Sequence, residues 1–370
     1  MQIRAPGCHD ISKKVWIQDM LWQDGIGREQ KIVAGNTFGI DLGTSNIKVY
    51  NYAKKQVLNE KNMIAIERND TVYATGDMAF DMFERTPDSI RVSSPINNGV
   101  IADIDSMQIL LKKMLQKAAG NSLRSSNYIM AVPTDITEVE KRAFYDLIRM
   151  AGVKERRVLF VEKPIADALG VGLDVNHAQG IMMIDIGADT TEISVLSLGG
   201  IVLSKLIKTG GNKFDEAIIA MIKKEYNLVI GKKTAEVLKQ QLCSLDADQN
   251  QTMLVVGRDV MSGLPKEQEI TPFALEDAME EQFQVIVDAA KMILERTPPE
   301  LASDIIDEGI YLTGGSSNLA RLVDMLAVAT ELETNVYNHA DESVIRGIER
   351  IIAEKEFTGL AAEMKEKIYY

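Results

Sequence analysis

Cysteine is nearly absent from this chain: Cys8 and Cys243 are the two in 370 residues. That excludes a disulfide framework and a cysteine-rich zinc site, and it suits a reducing compartment. Histidine is as sparse, with His9, His177 and His339 far apart. Nowhere do about 18 uncharged apolar residues run together, as a bilayer-spanning helix needs. The longest candidates, 193–204 and 309–320, are shorter and broken by glycine. A basic region followed by an apolar stretch and a small-residue cleavage site is also missing at the start, so no secretory signal is read and the expected location is the cytoplasm. Basic blocks are missing too. The 41 Lys and Arg face 54 Asp and Glu, a net charge of −13. A nucleic-acid partner needs clustered cations to displace counterions, so none is expected.

What remains is an ordinary globular composition, 46% hydrophobic and 26% charged, which is too apolar for a disordered chain. The length is about two and a half times a typical domain of roughly 150 residues, so two domains are expected. Residues 1–32 stand apart: they hold both tryptophans, Trp16 and Trp22, and no strand alternation. Two readings are open for them. One is an amphipathic helix lying on a membrane, with Ile11, Val15 and Trp22 on one face, although Trp16, Ile17, Met20 and Leu21 spoil the stripe. The other is a start codon set too early, with Arg28-Glu29 encoded by a ribosome-binding sequence ahead of Val33.

From Thr37 the chain alternates strands and helices, which makes the class α/β. Residues 37–50 read as a β-hairpin around Asp41-Leu42-Gly43-Thr44-Ser45-Asn46. The pattern returns at 181–196 around Asp185-Ile186-Gly187-Ala188-Asp189-Thr190, and the two copies suggest an internal duplication. Helices are expected at 106–119, 138–151, 214–226, 233–242, 275–295 and 319–329. Strands are expected at 128–132 and around 251–258. A third glycine turn, Gly314-Gly315-Ser316, joins a strand from Gly309 to the last of those helices.

A glycine turn with small hydroxyl residues points backbone N–H groups at a phosphate, while the preceding aspartate can hold a hydrated Mg²⁺. One such turn is an ordinary hairpin device. Two related turns facing across a cleft clamp a polyphosphate from both sides, and a Gly-Gly turn before a helix supplies a third wall.

With these residues in view, the chain resembles the MreB family of bacterial actin homologues, within the actin, DnaK-type chaperone and sugar kinase superfamily. The likeness runs from about Phe38 to Ile351. It rests on Arg85-Thr86-Pro87, on 99–103, 209–218 and 231–239, and above all on 296–306, as well as on the three turns. The resemblance implies a two-lobed actin-like fold, each lobe a ribonuclease-H-like core with a smaller inserted subdomain. Residues 1–36 would be an extension and 37–178 lobe I, with 340–356 returning to it. Lobe II would be 179–339 with an insert at about 215–272, and 357–370 a tail.

The resemblance also implies ATP or ADP with Mg²⁺ in the cleft. Asp41, Gly43, Thr44, Ser45 and Asn46 fall on the first phosphate loop, Gly187, Ala188, Asp189 and Thr190 on the second, and Gly314, Gly315 and Ser316 on the adenosine loop. Glu236 and Lys239 fall on the helix that reaches ribose and adenine; unaided, they read as a solvated helix face. Asp41 and Asp185 would hold the metal through water, with Asp185 also counted as catalytic.

Two departures from the family pattern stand out. Ala188 and Asp189 replace two glycines of the second loop, and a carboxylate beside a γ-phosphate costs several kcal/mol if dry and about 1 if hydrated. Lys163 stands where the family has its water-activating glutamate, and a protonated lysine cannot take a proton from water, which forfeits typically 10²–10⁴-fold. Glu162 is the carboxylate left to substitute, although its neighbouring backbone position aims it elsewhere. The family geometry puts Lys163 and Asp189 on facing sides of the γ-phosphate region, where they are expected to pair.

Ser94-Pro95-Ile96-Asn97-Asn98 lacks the family's charged residues. Of the family's membrane loop, at 120–124, only Leu123 is apolar. The function implied is a filament-forming cytoskeletal protein that organises cell-wall synthesis and shape. Its partners would be further copies, other MreB-type subunits, cell-wall synthesis membrane proteins and, peripherally, the membrane. The alternative is a scaffold that neither hydrolyses nor needs nucleotide. A small-molecule kinase lacks an acceptor-binding motif.

Overall fold

The computed structural model describes residues 36–68, 70–120, 125–248 and 250–363. The readings offered for residues 1–32 and for Leu123 lie outside the described residues. In the first half, β1 (Thr37–Leu42), β2 (Asn46–Asn51) and β3 (Gln56–Lys61) follow one another. A small sheet of β4 (Ile64–Glu67), β5 (Val72–Thr75) and, after helix α1 (Asp77–Met82), β6 (Ile90–Ser93) comes next. The short pair β7 (Ile96–Asn97) and β8 (Val100–Ile101) leads to α2 (Ile104–Ala119), β9 (Ser126–Val132), α3 (Glu138–Met150), β10 (Glu155–Glu162) and α4 (Lys163–Val171).

The second half begins with β11 (Ile181–Ile186), β12 (Thr191–Ser197), β13 (Gly200–Ile207) and α5 (Gly211–Tyr226). Then come β14 (Leu228–Val229), α6 (Lys232–Leu242), β15 (Met253–Asp259) and β16 (Pro265–Ile270), whose strands form a three-stranded sheet. The chain closes with α7 (Pro272–Arg296), α8 (Pro299–Glu308), β17 (Ile310–Thr313), α9 (Ala320–Thr330), β18 (Thr334–Val336) and α10 (Ser343–Ala353).

Local chemistry sets the helix starts. Thr137 and Glu140 form a reciprocal capping box at α3, and Asp103 accepts the Ser106 N–H at α2. Helix α7 begins three residues before the expected Leu275 because Thr271 caps it and Pro272 fits its first turn.

The duplication read from two hairpins extends through both main sheets. Their orders are β10-β9-β1-β2-β3 and β13-β12-β11-β17-β18. In each, three consecutive antiparallel strands are extended, beyond the first of them, by two parallel strands. The central strands are buried on both faces, so they read as continuous apolar runs rather than alternating ones. Period two then divides their side chains. Tyr128, Met130 and Val132 of β9 enter the outer core of the first half, while Ile129 and Ala131 enter a layer between the two sheets. Met182, Ile184 and Ile186 of β11 likewise face the outer core of the second half, and Ile181 and Met183 face the same middle layer.

That middle layer is built on α4 and α10. Both helices carry small residues four apart at their crossing, Ala166 with Gly170 and Ser343 with Gly347, so the backbones approach without intervening side chains. A Cβ on Gly347 would lie 1.6 Å from the Ala166 carbonyl oxygen, and one on Gly170 would lie 1.7 Å from that of Ser343. Arg350 of α10 donates to the Leu169 carbonyl at 2.8 Å, serving the open end of α4. The supposed tail from 357 is packed structure as far as it is described: Phe357 is buried, and Phe160 and Ala362 exchange backbone hydrogen bonds.

Asp167 of α4 is wholly buried and accepts the Thr313 hydroxyl of β17 at 2.5 Å, tying helix to second sheet. Burial, with Asp185 adding to it, pushes its carboxyl up to about 8 against the opposing Ser343 and Thr313 hydroxyls and Lys163.

Two measurements check this packing. Gly347→Ala is expected to lower unfolding free energy by roughly 1–3 kcal/mol or more in urea titrations, because nothing at the crossing can yield. Gly359→Ala, where a Cβ meets nothing within 4 Å, should stay within about 0.5 kcal/mol; equal losses would contradict the tight crossing. For Asp167, the folded state holds a proton between about pH 4 and 8 that the unfolded chain has released, so this group's contribution to stability falls as pH rises through that window. Asp167→Asn should therefore gain on the parent by about 1.4 kcal/mol per pH unit there and level off above about pH 8. A pH-independent difference would show that the carboxyl ionises normally.

Candidate functional site

The turns that precede β2 and β12 are built alike. The Gly43 N–H donates to the Asn46 carbonyl at 3.0 Å, and the Gly187 N–H donates to the Thr190 carbonyl at 2.8 Å. Each turn is braced from its own half. Asn62 holds the first, donating its side-chain N–H to the Gly43 carbonyl and its backbone N–H to that of Ser45. The first residues of α5 hold the second: Gly211 and Asn212 donate to the Gly187 and Ala188 carbonyls at 3.0 and 2.7 Å.

A third loop, between β17 and α9, closes on the same point. Its Gly314 has φ 84°, a conformation favouring glycine, and a Cβ there would lie 2.3 Å from Asp185 Oδ1. Ser316 donates its N–H to the Ile186 carbonyl at 2.9 Å.

These loops surround one cavity of about 920 Å³, lined from both halves of the chain. That is room for a nucleotide-sized ligand. Asp41, Gly43, Thr44, Ser45, Asn46, Lys163, Asp185, Gly187, Ala188, Thr190, Glu236, Lys239, Gly314, Gly315 and Ser316 all line it. Of the candidates read from the sequence, Glu162 and Asp189 do not. Glu162 ends β10 one residue before the lining Lys163, and burial pushes its carboxyl up, with Lys141 opposing.

The expected pairing of Lys163 with Asp189 is not formed. Lys163 Nζ lies 2.5 Å from Asp185 Oδ2. Burial works against its charge, but Asp185, Asp41 and Glu192 outweigh burial and hold the ammonium well above the usual lysine range. Asp189 turns the other way. Its carboxylate accepts the backbone N–H of Asn98 from the first half at 2.8 Å and the side-chain N–H of Asn212 at 2.6 Å. It bridges the halves beside the cavity, its carboxylate turned to these two donors rather than onto the cavity wall.

Glu236 and Lys239 reach the wall with their charges engaged. Glu236 lies 3.8 Å from Lys61 of β3, across the cleft. Lys239, itself buried, donates to Asp215 at 2.6 Å and to the Gly211 carbonyl at 2.9 Å, fixing α6 to α5. Burial pushes the Asp215 carboxyl up, with Lys239 opposing. Further contacts close the mouth: Glu84 accepts the Lys232 N–H at 3.1 Å, and Lys233 donates to the Phe80 carbonyl.

Glu192, Thr134, Asp215 and Asn98 were missed in the sequence. Glu192 carries a signal, as the one charge in β12; it is buried, accepts the Thr134 N–H at 2.9 Å, and its carboxyl is raised by burial with Lys163 opposing.

The expected Mg²⁺ donors fit that ion poorly. A hydrated dication wants carboxylates free to accept its waters. Here Asp41 faces Lys48 at 3.6 Å and Asp185 faces Lys163, so each already has a cation beside it. Among the described residues no group of three or more His, Cys, Asp or Glu side chains converges as a metal site.

Comparison with known proteins agrees with this architecture. The cell shape-determining protein Mbl of Bacillus subtilis is 40% identical over 292 residues, 78% of this chain and 87% of that protein. The cell shape-determining protein MreB of Escherichia coli is 37% identical over 320 residues, 84% and 92% of the two chains. Among solved structures, MreB 5 of Spiroplasma citri bound to AMPPNP superposes with a TM-score of 0.81 at 34% identity, covering 87% of this chain and 96% of that one. A MamK double helical filament gives 0.71 at 19% identity over 86% and 99%, a likeness of fold alone. With the family described as MreB/Mbl protein matching residues 35–359, this chain belongs to the MreB/Mbl family and has an actin-like fold.

Proposed function

We propose that the protein is an ATP- and ADP-binding, filament-forming cytoskeletal element that takes part in determining cell shape and organising cell-wall synthesis. The observation that carries this reading is the pair of like glycine turns, one from each half, meeting at one cavity with Gly314 as a third wall. Relatives named for determining cell shape support the role, and MreB 5 of Spiroplasma citri, solved with AMPPNP and with ADP, supports the ligand.

In this reading residues 37–178 with 340–356 and residues 179–339 are two jaws, and nucleotide bridges them. The contacts of Glu236 with Lys61 and of Asp189 with Asn98 already draw the jaws together. Nucleotide adds to the closed population and so to the form competent to assemble. Self-association, other MreB-type subunits and cell-wall synthesis membrane proteins are the proposed partners, at the inner face of the membrane. Among the described residues no helix is long and apolar enough to cross it. Hydrolysis is slow, because the ammonium at position 163 cannot serve as general base for an attacking water.

Differential scanning and sedimentation test the reading together. ATP at about 100 times Kd should stabilise the chain by about 2.7 kcal/mol, and the protein should pellet as polymer above a critical concentration. No thermal shift at any nucleotide concentration would refute the ligand. A chain that stays monomeric, alone and with a companion MreB, would refute the filament. Lys163→Glu should raise single-turnover hydrolysis by about 10²-fold or more, whereas a parent already as fast would refute the missing base.

A further inference from the structure

The charges around the two phosphate turns are matched in an unusual way for a site expected to recruit a divalent ion. Asp41 and Asp185 stand at the ends of β1 and β11, and a lysine of this chain faces each: Lys48 at 3.6 Å and Lys163 at 2.5 Å. The two lysines differ in what else they reach. Lys48 is buried on β2. Lys163 is the first residue of α4 and keeps about a quarter of its side chain exposed on the cavity wall.

Its location is enforced rather than incidental. Asp185 cannot retreat, because the Gly314 backbone packs against its carboxylate, and α4 cannot shift, because its backbone touches that of α10. Asp41 and Glu192 also act on the ammonium. An ammonium has three N–H donors and no acceptor. Asp185 engages one, so the group retains donors for phosphate oxygens, and its charge repels a second cation placed beside the same carboxylate.

We propose that the Lys163 ammonium is the resident cation of this cleft, occupying the role a divalent ion would otherwise fill, so that nucleoside di- and triphosphates bind without a divalent metal. This rests on the nucleotide reading above and assigns that site its own counter-ion.

Isothermal titration of the full chain with ADP, once in excess EDTA and once in excess Mg²⁺, tests it. The two dissociation constants should agree within about threefold, since the fixed charge serves in both. Lys163→Gln should weaken binding in EDTA by about tenfold or more and regain it with Mg²⁺, as expected when a charge-assisted contact is lost and Asp185 freed. Lys163→Arg, which keeps the charge, should remain insensitive to EDTA. Should the glutamine variant fail to fold, the parent titrations alone decide. A parent that binds ADP in Mg²⁺ and loses tenfold or more in EDTA overturns the resident cation while leaving the nucleotide reading intact. ADP bound in neither buffer overturns both.

Discussion

Everything at the site depends on two helix backbones in contact. Where α4 crosses α10, glycines at 170 and 347 remove the side chains that would hold the helices apart, and carbonyl oxygens occupy the space instead. Each helix packs between the two sheets, so the crossing fixes the distance between β9 and β10 on one side and β11 on the other. The two glycine turns hang from those sheets. The middle layer thus joins the two sheets from which the turns project.

The same crossing explains why one lysine matters. Lys163 opens α4, so its backbone is placed by the packing of Ile165, Ala166 and Leu169 against the middle layer. A buried carboxylate is costly to strip of a partly buried ammonium, because it is then left unpaired in a poorly solvated place. The Lys163–Asp185 contact thus sets the electrostatics between the turns before any ligand arrives. Asp189, the other unusual residue, works at the rim: by accepting from Asn98 and Asn212 it adds a link between the halves without entering the cavity.

Much of this was legible in the sequence, for physical reasons that can be named. The hairpins were readable because glycine and small hydroxyl residues interrupt strongly apolar strands, and their repetition pointed to duplication. Helix ends moved by up to three residues where caps decide them, as at Thr271. The strands β3 and β13 passed unread: Gln56–Lys61 is too polar and half-buried to alternate clearly, and Gly200–Ile207 starts on the second glycine of the pair Gly199-Gly200 and is half-buried throughout. At the site, residue types were readable but directions were not. Lys163 and Asp189 were expected to meet because opposite charges flanked one region. Which way a carboxylate turns depends on donors distant in sequence, here the Asn98 backbone, and no local pattern encodes that.

The proposed nucleotide cleft carries its own cation, the Lys163 ammonium. Anomalous diffraction from crystals of the ADP complex grown with Mn²⁺ tests that assignment. Lys163 Nζ is expected within hydrogen-bond distance of both Asp185 and a phosphate oxygen, with no manganese peak between Asp41 and Asp185. A manganese peak at that place, with Lys163 displaced from Asp185, would contradict it.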